Sequence, residues 1–203
     1  MINRRSFILY LGASLSSMPQ EAIAHRSTEP FAVDPIYLPQ QVDFPSGYAA
    51  GTIIVDTATR FLYLVGGLGR ARRYGIGVGR AGLAWAGTAE VGRKAKWPSW
   101  TPTANMIRRE PDKYAKYANG VAGGRSNPLG SRALYLYRNG RDTYYRIHGT
   151  TEPWTIGKAV SNGCIRLINE HVEDLYEHVP VGTTVVVRHG NEFISENDLD
   201  DRI

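Results

Sequence analysis

Residues 133–148 commit this chain to antiparallel sheet. Ala133-Leu134-Tyr135-Leu136-Tyr137 and Thr143-Tyr144-Tyr145-Arg146-Ile147-His148 flank the dipeptide Asn139-Gly140. Asn-Gly adopts the left-handed two-residue turn that matches strand twist, so the two runs read as a hairpin. Strand-like runs recur at residues 51–55 and 60–65, around Asp56-Thr57-Ala58-Thr59, and again at 72–78 and 183–188. One helix is predicted near 169–179. Val172, Leu175, Tyr176 and Val179 recur at its inner-face spacing, Asn169 is placed to cap it, and Glu170 suits its positive end. Pro180 and Gly182 end it. Many strands and glycines with one or two helices predict a mainly β domain, sandwich- or barrel-like.

The N-terminus reads differently. Arg4-Arg5 precede an apolar stretch from Phe7 to Leu15, and Ala22-Ile23-Ala24 offers a small-residue cleavage site. Residues 1–24 are expected to be an export signal, with a disordered tail as the plain alternative. Arg-Arg-x-Phe fits the twin-arginine pattern, although Asn3 stands where that pattern usually has Ser or Thr. The apolar core is too short for a stable membrane anchor. The mature form is therefore expected to work in the periplasm without a transmembrane anchor. Residues 25–47 hold Pro30, Pro35, Pro39 and Pro45 and predict a Pro-rich linker or arm. The catalytic domain is expected over 48–189. Residues 190–203, with five carboxylates against Arg202, are expected to be an acidic C-terminal tail. Without 1–24 the chain keeps 179 of its 203 residues, enough for one domain with a substantial core.

Charge narrows the partners. From His25 to His189 there are 21 Lys and Arg against 13 Asp and Glu, a body at +8 inside a chain at +5. A basic exported body suits anionic cell-wall polymer or an outer-membrane surface, and no nucleic-acid motif accompanies the charge. Solubility alone is the bland reading. Gly75-x-Gly77-x-Gly79 ends a strand but opens no helix, so it is weak as a phosphate cradle.

Cys164 is the one cysteine in the chain, so it has no internal disulfide partner. Exported proteins that use cysteine for stability carry it in pairs. The lone thiol therefore favours a reactive role over that of a small buried hydrophobe. It sits in Ser161-Asn162-Gly163-Cys164-Ile165-Arg166-Leu167, sixteen residues after His148 in Ile147-His148-Gly149-Thr150. A thiol attacks as thiolate, and an imidazole in reach can take its proton and return it to a leaving amine. The backbone N–H groups of Gly163 and Cys164, with Asn162 adding its own, form the natural oxyanion hole. Arg166 would share a strand face with Cys164 and suits a substrate carboxylate. The Gly149 carbonyl is the local option for orienting His148. His171 and His178 are expected on the solvent face of the helix. None of the histidines forms a metal cluster with Cys164, and neither a metal nor a cofactor is expected. The chemistry predicted is acyl transfer through a thioester.

These residues resemble the exported bacterial L,D-transpeptidases of cell-wall assembly, over about residues 51–188. The resemblance rests on Ile147-His148-Gly149-Thr150 and Ala159-Val160-Ser161-Asn162-Gly163-Cys164-Ile165-Arg166-Leu167. Trp97-Pro98-Ser99-Trp100-Thr101-Pro102-Thr103 and Asn127-Pro128-Leu129-Gly130-x-Arg132-Ala133-Leu134-Tyr135 are similar to stretches of the lipoprotein-anchoring branch. Many members have His or Ser at the place of Asn162. The resemblance implies a β-sandwich-like catalytic domain, Cys164 as nucleophile, His148 as base and Gly149 as the carbonyl partner of His148. It implies a peptidoglycan tetrapeptide stem as donor, attacked at diaminopimelate with release of D-alanine. The acceptor amine would come from a second stem (a 3→3 crosslink) or a lysine of an outer-membrane protein or lipoprotein. It also implies acylation by carbapenems. Trp97, Trp100, Trp154 and Tyr135 are candidate walls of the peptide groove, with core packing the equal alternative. Arg108 and Arg109 are expected in a loop over the site, or else as a solvated pair.

Three rivals stand beside this reading. A hydrolase would use the same thiol with water as acceptor. A sortase-like transpeptidase would place His and Cys much further apart. A catalytically idle wall-binding module would not need His148, Gly163, Cys164 and Arg166 together.

Overall fold

The computed structural model describes residues 31–190, apart from Gly82 and Ala84. The expected export signal, residues 25–30 of the arm and residues 191–203 of the tail lie outside the described residues. Eleven strands are present among the described residues: β1 Gln40–Asp43, β2 Ile53–Asp56, β3 Phe61–Val65, β4 Arg70–Gly75, β5 Val78–Gly79, β6 Gly87–Lys96, β7 Arg132–Arg138, β8 Arg141–His148, β9 Ala159–Ser161, β10 Ile165–Arg166 and β11 Thr184–Arg188. The α-helices are α1 Ala104–Arg109, α2 Pro111–Tyr114 and α3 Asn169–His178.

Nine strands form one sheet in the order β1-β4-β3-β2-β11-β6-β7-β8-β10, and β5 pairs with β9 in a second. The large sheet curls back on itself. Gly77, just beyond β4, exchanges two backbone hydrogen bonds with Arg166 of the far strand β10, at 2.9 and 2.8 Å. This closure surrounds a core of Ile53, Val55, Leu62, Tyr74, Val91, Leu134, Ile147, Leu167, Val185 and their neighbours. Alternation of side chains along a strand explains why β2 and β11 read as continuous β-branched runs. Ile53, Val55, Val185 and Val187 enter this core, while Ile54 and Val186 enter a second cluster with Phe44, Tyr48 and Tyr63 on the other face.

Helix α3 covers one opening of the core. Val172 and Leu175 are fully buried, Val179 follows just past the helix, and Tyr176 packs beside them, as the spacing predicts. An ionic clasp fixes the helix: Asp174 accepts from Arg72 and from the Tyr74 hydroxyl, both at 2.7 Å. The expected Asn169 cap is corrected. The cap residue is Ile168, with no side-chain bond, and Asn169 Oδ1 instead accepts from the Ser131 N–H at 3.1 Å. His171 is also corrected: it is 8% exposed and packs inward, whereas His178 faces solvent as expected.

The arm departs from expectation too. Part of it is a sheet element, because β1 pairs with β4 over four residues after a short 3-10 turn at Pro35–Tyr37. The ten-residue strand β6 was invisible to pattern reading. It has few β-branched residues and buries only Ala89 and Val91, and its long polar side chains face out. Between β6 and β7 the chain makes a helical excursion through α1 and α2, where Trp100 packs edge-on to Tyr114 and Tyr117.

Replacing Leu175 by Ala removes a fully buried side chain between α3 and the sheet. It is expected to cost about 2–5 kcal/mol of stability in urea denaturation. A loss below about 1 kcal/mol would mean that α3 is not part of the cooperative core.

Candidate active site

Strands β8 and β10 run parallel, with Ile165 opposite Ile147 and Arg166 opposite His148. Ile147 and Ile165 point into the core, at 0% and 3% exposure. The flanking side chains must then take the other face, so His148 and Arg146 share it with Arg166. Cys164 immediately precedes β10, which puts it beside Arg146 and diagonal to His148. Side chains on such diagonals of neighbouring strands are within reach of one another. This register brings the two sequence-predicted chemical groups to one surface.

His148 is buried, and its Nδ1–H donates to the Gly149 carbonyl at 2.5 Å. With that nitrogen committed, the Nε2 lone pair is the basic one. Burial lowers the imidazole pKa to about 3; the charge of Arg166 adds to the shift, and the carbonyls of Gly149 and Leu129 oppose it. The ring is neutral at ordinary pH. Cys164 is half-buried. Burial pushes its thiol pKa up, and the positive charge of Arg146 and the backbone beside it only partly offset that. The resting pair is therefore a neutral thiol and a neutral imidazole. Among the described residues no hydrogen bond joins Sγ to the ring; Sγ lies 3.9 Å from the Tyr144 carbonyl.

A bulge in β8 produces that contact. Tyr135 pairs with Arg146 and Tyr137 with Asp142, so β8 carries two extra residues there. Tyr144 sits in them at φ 63°, a left-handed conformation rare for an aromatic residue. It is 71% exposed. Strained bulges of this kind re-aim groups beside active sites. The same bulge lets Asp142 meet Arg146 through two hydrogen bonds of 3.0 Å. Alternation of side chains in the sequence cannot show a bulge, so Tyr144, Asp142 and Arg146 went unmarked.

The turn before Cys164 is stitched by Ser161. Its Oγ–H donates to the Cys164 carbonyl at 2.6 Å, and its Oγ accepts from the Gly163 N–H at 3.1 Å. The Gly163 donor expected for an oxyanion hole is thus occupied in the resting structure. The Cys164 N–H has no acceptor among the described residues. Gly163 is required by conformation: its φ is +121°, and a Cβ there would meet the Tyr145 ring at 2.7 Å. Gly149 is required by close approach, since a Cβ would lie 2.2 Å from Asn169 Oδ1.

Other expectations need correction. Arg166, assigned to a substrate carboxylate, is already held by Glu152 at 2.7 Å. Tyr135 is 5% exposed and stacked under the guanidinium groups of Arg93 and Arg146, so it cannot line a groove. Trp100 packs in the helical excursion; Trp97 and Trp154 are half exposed. Arg108 and Arg109 lie on α1 rather than in a loop. Arg108 turns to Asn105, while Arg109 reaches Asn162, two residues before Cys164. A groove of about 620 Å³ is lined by Phe31, Leu38, Arg125, Thr150, Thr151 and Glu170, among others. No group of three or more potential metal ligands occurs among the described residues, and no described helix is long and apolar enough to cross a membrane.

Residues 50–187 match the family model described as the L,D-transpeptidase catalytic domain. The Salmonella typhimurium protein named "Probable L,D-transpeptidase ErfK/SrfK" is 35% identical over 187 residues, covering 90% of this chain. The chain spans 58% of that relative's length. A solved structure from Brucella melitensis, named "Probable carnitine operon oxidoreductase caia", is 54% identical at a TM-score of 0.53, covering 77% of this chain and 96% of that one. The Ldtfm-avibactam carbamoyl enzyme shares the fold at 19% identity and a TM-score of 0.52, covering 71% of this chain and 51% of that one. Two glycines of the glycine-rich run stand at close approaches. A Cβ on Gly75 would strike Tyr37 at 2.4 Å and one on Gly77 the Thr155 carbonyl at 2.7 Å, so these glycines serve packing.

The depressed His148 pKa has a pH signature. Below about 6.5 the unfolded chain takes up a proton that the folded ring refuses until about pH 3. Stability is expected to fall with pH across that window, and to fall less steeply in His148→Gln. Parallel urea midpoints for the two proteins between pH 6.5 and 4 would contradict a buried neutral ring. Iodoacetamide alkylation of Cys164 is expected to rise at a pH above that of a free cysteine; an alkylation midpoint below pH 8 would show a resting thiolate.

Proposed function

Because this chain belongs to the L,D-transpeptidase catalytic-domain family, we propose that it is a cysteine-dependent peptidoglycan L,D-transpeptidase working in the periplasm. The observation that carries this reading is the parallel register of β8 and β10, which sets Cys164 and His148 on one face above a sealed core. The twin arginines and apolar stretch of residues 1–24 support export.

The donor is a tetrapeptide stem. The Cys164 Sγ–H proton passes to Nε2 of His148 as sulfur attacks the diaminopimelate carbonyl. Because both groups rest neutral, the thiolate forms only as the bond forms, and the imidazolium that results is stabilised through Nδ1–H by the Gly149 carbonyl. The tetrahedral oxygen takes the Cys164 N–H, and the Gly163 N–H once Ser161 releases it. The imidazolium then protonates the leaving amine. The C–N bond to D-alanine breaks, and the stem stays on sulfur as a thioester. An acceptor amine attacks this thioester, gives its proton to His148 and displaces the thiolate, which the imidazolium then reprotonates. The amine comes from a second stem peptide or from a lysine of an outer-membrane protein or lipoprotein.

Intact-mass measurement after incubation with a carbapenem is expected to show a covalent adduct on the wild type and none on Cys164→Ala. An unmodified wild-type mass would count against an accessible nucleophile. Turnover of tetrapeptide stems is expected to drop about 10²–10⁴-fold in His148→Ala. Turnover close to wild type would remove His148 from the mechanism.

A further inference from the structure

The proposed reaction needs a way to hold the carboxylates that a stem peptide carries, and Arg166 is engaged by Glu152. We propose that Arg109, on α1, binds a free carboxylate of the donor stem beside the nucleophile turn; this rests on the transpeptidase reading above.

The basis is an unbalanced charge cluster two residues from Cys164. Asn162 Oδ1 accepts from Arg80 at 3.1 Å and from Arg109 at 3.3 Å, while its Nδ2 donates to the Tyr114 hydroxyl at 2.7 Å. Two guanidinium groups converge on one neutral oxygen. Like charges brought this close repel unless anions stand beside them. Glu110 supplies one anion and is bonded directly to Arg80. Its carboxyl is held below the usual range mainly by that Arg80 hydrogen bond, with Arg109 the smallest of the contributors. Arg109 makes no ion pair among the described residues.

The other guanidinium groups around the turn are engaged: Arg166 with Glu152, and Arg146 with both oxygens of Asp142. Arg109 is also exposed, so little desolvation opposes a new ion pair. Its planar fork matches a carboxylate in two-pronged fashion. Asn162 fixes where that fork stands relative to Sγ. It therefore acts as a positioning residue, which gives its side chain a role that its backbone alone would not need.

The test measures binding without requiring turnover. Calorimetry is run on Cys164→Ala and on Cys164→Ala/Arg109→Ala. The probes are the tetrapeptide stem with its three carboxylates free and three stems carrying a carboxamide at the glutamate, the diaminopimelate or the C-terminal D-alanine position. Arg109→Ala is expected to weaken the free stem about tenfold and to leave one of the carboxamide stems unchanged, which identifies the carboxylate. Arg109→Lys is expected to recover part of the loss. Equal losses on all four stems, no loss on any, or no binding of the free stem at millimolar concentration would overturn the proposal. In the otherwise wild-type enzyme, Arg109→Ala should raise KM for the free stem and leave kcat within about twofold. Absent turnover with the binding difference intact would sink the transpeptidase reading and leave the Arg109 site standing.

Discussion

The pairing of β8 with β10 is the constraint on which the site depends. Arg166 bonds on one side to the strand that ends in His148 and on the other to Gly77. One two-residue strand thus closes the barrel-like sheet and sets the depth of the sulfur. A slip of one position would turn Ile165 outward and drive a charged or reactive side chain into the core. The burial of Ile165 beside Ile147 opposes that slip by the hydrophobic cost of exposing one large aliphatic side chain, about 1.5–3 kcal/mol. Packing on one face therefore enforces chemical alignment on the other.

Burial also decides the electrostatics. It disfavours charge on both reacting groups, pushing the imidazole pKa down and the thiol pKa up. Each shift alone would weaken its group as a partner in an ion pair. Together they place the proton on sulfur and the lone pair on nitrogen, the arrangement from which the proposed general-base attack would start. The charges of Arg146 and Arg166 on this face favour an anionic sulfur, and that of Asp142 opposes it.

Much of this was legible in the residues. The Asn139-Gly140 turn marked the hairpin that delivers His148, and the apolar spacing of 172–179 marked α3. The Gly149 contact with His148 was foreseeable because a carbonyl one residue away is hard for an imidazole at a strand end to avoid. Features that arise from tertiary contact were not legible. Asn169 had the right chemistry for a cap, but Ser131 offered a competing donor. Arg166 looked free until folding brought Glu152 to it across fourteen residues. Strand β6 lacks the alternation of large apolar side chains because its neighbours β7 and β11 supply the bulk. Tyr135 carried an aromatic signal that did not distinguish groove wall from cation-stacked interior.

The Ser161 hydroxyl gives the nucleophile turn a built-in toll. While it satisfies the Gly163 amide, that N–H is closed to any other acceptor. Only a group whose oxygen outcompetes a neutral hydroxyl can swing that side chain aside. In the proposed reaction an oxyanion would do so and a ground-state carbonyl would not, so the turn would respond to the reaction's progress more than to occupancy.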